Sequence, residues 1–360
     1  MANLLTDIRV FYWRLRRFYQ DRRVANRPMF EKLRFRFYEQ LWRETAERLN
    51  LPVEDFGNGY FRLGEGQNST FVLESKVQLD DHLSLRMAGN KPLVHRLLTE
   101  NGFSIQEYRE YKMSRLPDAQ AFMAEKKGAC VVKPAAGSGA GNGVTTHIAN
   151  AAQLKRASLW AATFSPRLLI EEEIPGDSYR LLFLNGTFID AVRRDPPRVT
   201  GDGKHSIAEL MRMENAARLE GNNIVALSPL VLDFEARLHL TREGLSPKTV
   251  LPAGRTVAVK TVCNQNRSSE NESVTAQVHP TIVEAGSRIA AIFNIDLLGV
   301  DLITPDVSRP LDEVGGVINE INTNPGLHHH YLVNNLSREN RVAERIIAYI
   351  LENKMKKVQA

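Results

Sequence analysis

Apolar positions in the first fifty residues recur at helical spacing. Phe35, Tyr38, Trp42, Ala46 and Leu49 follow one another at three- and four-residue steps, the period of one helix face. Residues 5–50 are therefore expected to form one or two helices, interrupted near Asn26-Arg27-Pro28. The chain then turns polar and glycine-containing from Pro52 to about Asn68, with short strands expected at residues 60–63 and 70–73. Lys91 opens an amphipathic segment in which Leu93, Leu97 and Leu98 gather on one face, stopped by Gly102.

From about residue 129 the pattern becomes mixed. Residues 129–133 predict a short buried strand ending at Pro134, followed by the glycine-rich loop Ala-Ala-Gly-Ser-Gly-Ala-Gly-Asn-Gly (135–143); residues 167–174 predict another strand. Two strand-like runs, SYRLLFL and TFIDAVRR, flank Asn185-Gly186. Asn-Gly suits a two-residue hairpin turn, because both positions need positive φ. Ser206-Ile207-Ala208-Glu209 is a capping box opening a helix that Gly221 should stop, and Thr281 opens another after Pro280. Strands are expected at about 295–303 and 316–322, and a last helix at about 337–353. No internal repeat or low-complexity tract is evident.

Composition changes this picture little. The chain has 360 residues, 43% apolar and 25% charged, enough for two or three packed lobes without disulfide staples. Two cysteines, Cys130 and Cys263, suit a reducing compartment. No apolar stretch suggests a signal peptide or a membrane span, so a cytoplasmic protein without membrane contact is expected. The net charge of +5 is concentrated locally: residues 1–50 hold 12 Lys/Arg against 6 Asp/Glu, interleaved with aromatics. Such a stretch can bind nucleic acid or a membrane surface. Its helical spacing favours core or subunit interface instead, so nucleic acid is not an expected partner.

Candidate chemistry sits in two places. Lys133 ends an apolar strand beside the glycine loop, and a buried lysine is costly unless it meets an anion. The loop is neither a P-loop nor a dinucleotide fingerprint, since no Gly-Lys-Ser/Thr ends it and the G-x-G-x-x-G spacing fails from each glycine. Asp301 lies in LLGVDLI and Glu320 in GVINEIN. Alternation along a strand points Ile318, Glu320 and Asn322 the same way. Two buried carboxylates on neighbouring strands need a cation, and Mg²⁺ takes oxygen ligands completed by phosphates and water. The alternative is partly exposed carboxylates paired with arginine.

Six segments in order, over residues 86–335, resemble the ATP-grasp superfamily, above all the ATP-grasp modules of cyanophycin synthetase and bifunctional glutathione synthetase, and more distantly D-alanine–D-alanine ligase. GNKPLVHRLLTENGFSIQEY resembles the segment opening with a phosphate-binding lysine, here Lys91; VVKPAAGSGAGNGV the second lysine, Lys133, with the lid loop. LLIEEEIPGDSYRLLFLNG resembles the hinge strand that contacts adenine, and RRDPPRVTGDGKHSIAEL the segment holding the family arginine, Arg194. GVDLI and NEINTNPG resemble the metal-ligand strands. The resemblance implies an α+β ATP-grasp fold: an N-terminal region (1–85) open to a substrate or dimer contact, a linker lobe (86–128), a lid (129–175) and a C-terminal catalytic lobe with a mixed or antiparallel sheet (176–360). It implies ATP contacts at Lys91, Lys133, Gly137, Ser138, Gly139, Glu171, Glu172, Ile174, Asp177 and Ser178, and metal ligands at Asp301, Glu320 and Asn322, for two Mg²⁺ ions with Mn²⁺ as a substitute. Arg180 and Arg194, on the two arms of the hairpin, are the catalytic candidates.

The implied activity is ligation of a carboxylate to an amine through an acyl phosphate, on an amino acid or small peptide. A carboxylate or small-molecule kinase and a non-catalytic nucleotide-binding protein are the alternatives. The match lapses in places. Gly176 is followed by Asp177 and Ser178, which shifts the ribose contact, and Asn264–Thr275 lacks the glycines and aspartate of the relatives' acceptor loop. Substrate identity is therefore open. With the chain ending at 360 and no second ligase domain, it is not expected to make cyanophycin. One of His328, His329 and His330 is a candidate substrate contact; three adjacent histidines do not share a face, which argues against zinc.

Overall fold

Helix α1 (Ala2–Arg23) and helix α2 (Arg27–Arg48) are separated where Asn26 takes a left-handed conformation, φ 69°, and Pro28 sits in the first turn of α2. Proline there lacks only an N–H that has no helical partner. The computed structural model describes residues 2–23, 26–126, 128–136, 139, 141–337 and 341–359. The inward face of α2, with Tyr38, Trp42 and Ala46, is buried; Trp42 Nε1 donates to the Glu74 carbonyl at 2.9 Å. Phe35 is exposed.

Strands β1 (Val53–Asp55), β2 (Tyr60–Glu65), β3 (Asn68–Leu73) and β4 (Lys76–Val77) form an antiparallel meander beside α2. Helices α3 (His82–Ala88) and α4 (Lys91–Glu100) follow. A second antiparallel sheet, ordered β5-β8-β6-β7, is built from β5 (Tyr108–Tyr111), β6 (Cys130–Pro134), β7 (Thr145–Ile148) and β8 (Leu168–Glu172), with α5 (Leu116–Glu125) and α6 (Ala151–Ala161) packed on it.

The hairpin of β9 (Asp177–Leu184) and β10 (Thr187–Arg194) turns at Asn185 and Gly186, φ 49° and 69°, the two positive values expected. A smaller unit carries β11 (Arg198–Thr200), α7 (Ile207–Ala217), α8 (Phe234–Arg242) and β12 (Thr256–Ala258). The Ser206–Glu209 capping box is present. The helix it opens ends at Ala217, short of Gly221, where buried Arg218 donates to the carbonyls of Ser228 and Gln265. Then come β13 (Asn271–Ser273), α9 (Pro280–Phe293), β14 (Leu297–Thr304), α10 (Leu311–Val314), β15 (Val317–Thr323) and α11 (Val342–Gln359). The last helix begins beyond the expected residue 337, and residues 338–340 of the expected span lie outside the described ones.

The central sheet runs β13-β10-β9-β14-β15, antiparallel throughout. On one face Leu181, Phe183, Val300, Leu302 and Ile318 pack with residues of α4 and α9. On the other, Leu182, Leu184 and Leu297 pack with residues of α2 and α11, leaving the far end of that face for polar residues.

Strict alternation fails in β15. Asp301 pairs with Glu320 but Leu302 pairs with Ile318, so Asn319 is extra. This bulge turns Ile318 into the apolar core with Leu302, away from Glu320 and Asn322, and corrects the expectation that the three share a face. A single inserted residue reverses the facing of everything beyond it.

Candidate functional site

Across the central sheet Arg180 on β9 stands opposite Asp301 on β14, and Asp301 opposite Glu320 on β15. Directly opposed residues share a face, so one arginine and two carboxylates line up in a row. Arg194 joins from β10, two residues beyond the partner of Arg180. Arg180 Nε and Nη2 donate to Asp301 Oδ1 and Oδ2 at 2.7 and 2.8 Å, a bidentate fork. Arg194 Nη2 donates to Asp301 Oδ2 and to Ser178 Oγ, both at 3.1 Å. Burial alone would raise the Asp301 carboxyl; Arg180 and then Arg194 outweigh it and hold the group well below the usual carboxylate range.

The lysines arrive from separate elements. Lys91, in the first turn of α4, pairs with Glu320. Burial would raise Glu320 as well, and Lys91 followed by Lys133 lowers it instead. Lys133, buried at the end of β6, lies 2.7 Å from Glu171 Oε2 on β8, so a carboxylate is the anion it meets. Glu171 Oε2 also accepts from Gln106 Nε2 at 3.1 Å, and that nitrogen lies 3.2 Å from Asn319 Oδ1 on β15. Lys133, Glu171, Gln106 and Asn319 thus connect the second sheet to the strand that carries Glu320 and Lys91's ion pair.

His95, one turn after Lys91, places Nε2 3.9 Å from Glu171 Oε1. Burial pushes it down to about 4 although Glu171 pulls the other way. Its four-residue spacing from Lys91 puts both on one helix face and is the signal that would have found it. Gln106 carries no such signal.

The other expected residues are dispersed along the same path. Glu172 pairs with Cys130 at the end of β8, Ile174 lies in the segment joining the two sheets, and exposed Asp177 begins β9 opposite Thr304. Gly176 has φ 138°, and a Cβ there would lie 2.4 Å from the Thr304 carbonyl carbon, so the crossing between sheets passes only without a side chain. Gly139 is exposed; Gly137 and Ser138 lie outside the described residues.

A small open depression is lined by Leu227, Ser228, Asn264, Asn266, His328 and His329 among others. His328 Nδ1 is 3.0 Å from the Tyr38 hydroxyl. Burial, reinforced by nearby cations including Arg180 and Arg194, holds His328 and His329 well below the usual imidazole value, so both are neutral. His328 is engaged by the Tyr38 hydroxyl, whereas His329 lines the depression and feels the charge of Arg180 and Arg194. His330 instead lies 2.6 Å from buried Asp190, which also accepts from Thr275.

The donor set fits a hard cation. Among the described residues no three His, Cys, Asp or Glu side chains gather into a metal cage. Two opposed carboxylates with the Asn322 amide beside Asp301 suit an ion that completes its shell with phosphate oxygens and water. Asp301 spends three hydrogen bonds of about four lone-pair positions. Several buried atoms of this network have no hydrogen-bond partner among the described residues, Arg194 Nε, Glu171 Oε1 and Asn322 Nδ2 among them, and are free for a ligand.

No family model matches the chain. Cyanophycin synthetase of Crocosphaera subtropica is 32% identical over 296 residues, 79% of this chain and 33% of that protein. The Glutathione biosynthesis bifunctional protein GshAB of Listeria welshimeri is 25% identical over 316 residues, 87% of this chain and 40% of that one. The chain thus spans between a third and two fifths of these relatives' lengths. A crystal structure of a bifunctional glutathione synthetase from Pasteurella multocida shares the fold, with a TM-score of 0.51 at 22% identity, over 84% of this chain and 41% of that chain.

Proposed function

We propose that this member of the ATP-grasp superfamily joins a carboxylate to an amine between its second sheet and its central sheet, with ATP phosphorylating the carboxylate first. The observation that carries the reading is the continuous chain of contacts from Lys133 and Glu171 through Gln106 and Asn319 to Glu320, Lys91, Asp301, Arg180 and Arg194. Few arrangements other than a nucleoside triphosphate call for two lysines, two arginines and two opposed carboxylates in one place.

Each group has a role. Glu171, with Oε1 left to accept, receives the amino edge of the base. Lys91 and Lys133 offset phosphate charge. Asp301, Glu320 and Asn322 would hold Mg²⁺, two ions with Mn²⁺ as a substitute; the metal supplies charge neutralisation at the β- and γ-phosphates. A substrate carboxylate oxygen forms a bond to the γ-phosphorus while the bond to the bridging oxygen breaks, and ADP leaves with the electron pair. The amine nitrogen then adds to the acyl carbon, phosphate departs, and the nitrogen's proton passes to phosphate or water. Arg194 Nε and the Arg180 guanidinium stabilise the oxyanion between those steps. At least one of the acid and the amine is an amino acid or small peptide, entering beside His329.

The test is incubation with ATP, Mg²⁺, hydroxylamine and a panel of carboxylates. Hydroxamate with ADP and phosphate is expected; AMP with pyrophosphate would overturn the reaction type.

A further inference from the structure

Residue types recur once at a seven-residue step within the N-terminal helix. Ile8-Arg9-Val10-Phe11-Tyr12-Trp13-Arg14 is followed by Leu15-Arg16-Arg17-Phe18-Tyr19, so an aliphatic, an arginine, a phenylalanine and a tyrosine each recur after seven residues. The structure divides α1 into two faces. Trp13 turns inward, with ring centroids 6.5 Å from Trp160 and 5.4 Å from Phe234. Arg17 Nη1 donates to the Thr163 carbonyl at 2.9 Å, with the guanidinium over Phe164. The opposite face carries Ile8, Phe11, Tyr12, Leu15, Phe18 and Tyr19, each 42–62% exposed. A contiguous apolar stripe of this kind marks an interaction site rather than ordinary surface.

We propose that this stripe is a homodimer seam, in which α1 packs against α1 of a second copy of the chain. The seven-residue recurrence is what a helix partner needs, since it keeps one row of side chains facing another helix. The chemistry is self-complementary. Arg9 and Arg14 flank the rings while the Arg16 guanidinium lies 5.5 Å from the Trp13 centroid, and none of the three has a carboxylate partner among the described residues. A two-fold axis presents the rings of each copy to the guanidiniums of the other. The area is adequate. If about half of the 150–250 Å² of an aromatic side chain is available, four rings with Ile8 and Leu15 offer roughly 500 Å² per copy. The arginine stems extend this towards the ~800 Å² per partner of a stable interface. Since α1 is fastened to α6 and α8, such a pair would set the two second sheets side by side.

Charge separates this partner from a polyanionic one. Residues 6–19 carry four arginines and one aspartate. Self-association brings like charges together and tightens as salt screens them, whereas an anionic membrane or nucleic acid is released by salt. The experiment is sedimentation velocity of the full chain across a wide concentration range at low and high NaCl. A dimer is expected that tightens at high salt. Phe11→Lys/Phe18→Lys, which adds to the like charge, should weaken it about a hundredfold with far-ultraviolet circular dichroism unchanged. Tyr12→Ala/Tyr19→Ala, which adds no charge, should weaken it about tenfold and covers the case in which the first variant misfolds. A chain monomeric at every concentration overturns the proposal, as does a dimer indifferent to both variants. So does a chain that pellets with phosphatidylserine vesicles through the stripe and is released by salt.

Discussion

Asp301 and Glu320 face each other across two strands yet depend on different partners. Asp301 is buried between two guanidiniums, one of them bidentate. Glu320 is only partly buried and pairs with a single lysine. Removing one partner of a buried pair leaves an uncompensated charge, at about 3–5 kcal/mol. Asp301→Asn should therefore lower unfolding free energy by about 3 kcal/mol as well as abolish turnover. Glu320→Gln should cost turnover about a hundredfold or more while staying within about 1 kcal/mol of the parent in denaturant melts. Turnover by Glu320→Gln within tenfold of the parent would remove the metal assignment. His95 makes a pH prediction. Its folded value is about 4 against an ordinary 6.5, so the unfolded chain binds the proton first. The stability this histidine contributes is complete above about pH 6.5 and is lost as pH falls through 4. At about 1.4 kcal/mol per unit the loss approaches 3 kcal/mol. In urea melts His95→Gln should show a flatter stability profile between pH 6.5 and 4; an unchanged slope would show that another group carries the effect.

Secondary elements were legible where one local rule decided them. Asn185-Gly186 needed two positive φ angles and Ser206–Glu209 a reciprocal cap, and both form. The β15 bulge was not legible, because two strands settle it jointly; period-two counting placed Ile318 beside Glu320 when the pairing places it in the core. Nor could spacing separate Tyr38 and Trp42, which are buried, from Phe35 on the same helix and Phe11, Tyr12, Phe18 and Tyr19 on α1, which stay exposed. Helical period reports a face but not what covers it. One close approach was hidden as well. Gly286 in α9 meets β9 so tightly that an added Cβ would lie 2.0 Å from Phe183 Cζ. Phe183 is fully buried and has no room to move. Gly286→Ala is therefore expected to destabilise by about 1–3 kcal/mol, the cost of overpacking, even though alanine favours helix by about 1 kcal/mol. A thermal melt decides it; an unchanged or raised midpoint would show that the α9–β9 contact is looser than this.

At the scale of the whole molecule, the second sheet and the central sheet meet beside the candidate ligand groups. Gln106 touches Glu171 on one side and Asn319 on the other, and Gly176 marks the covalent crossing. A ligand held by lysines from both sides would therefore add to the contacts between lobes and favour the folded, assembled state. For one site at a hundred times its dissociation constant the gain is about 2.7 kcal/mol. At about 2.1 cal/mol/K per residue, that is a rise in melting temperature of roughly 3–4 °C for a chain of this length. The gain should divide by residue. On the proposed site, ATP alone would engage Lys91, Lys133 and Glu171, and a further increment on adding Mg²⁺ would require Glu320. In the parent, scanning calorimetry with ATP should show a second upward step as Mg²⁺ is titrated in. In Glu320→Gln the ATP step should remain and the Mg²⁺ step disappear. An Mg²⁺ step of equal size in both would mean that the cation binds elsewhere, and the two opposed carboxylates would then be only partners for arginine and lysine.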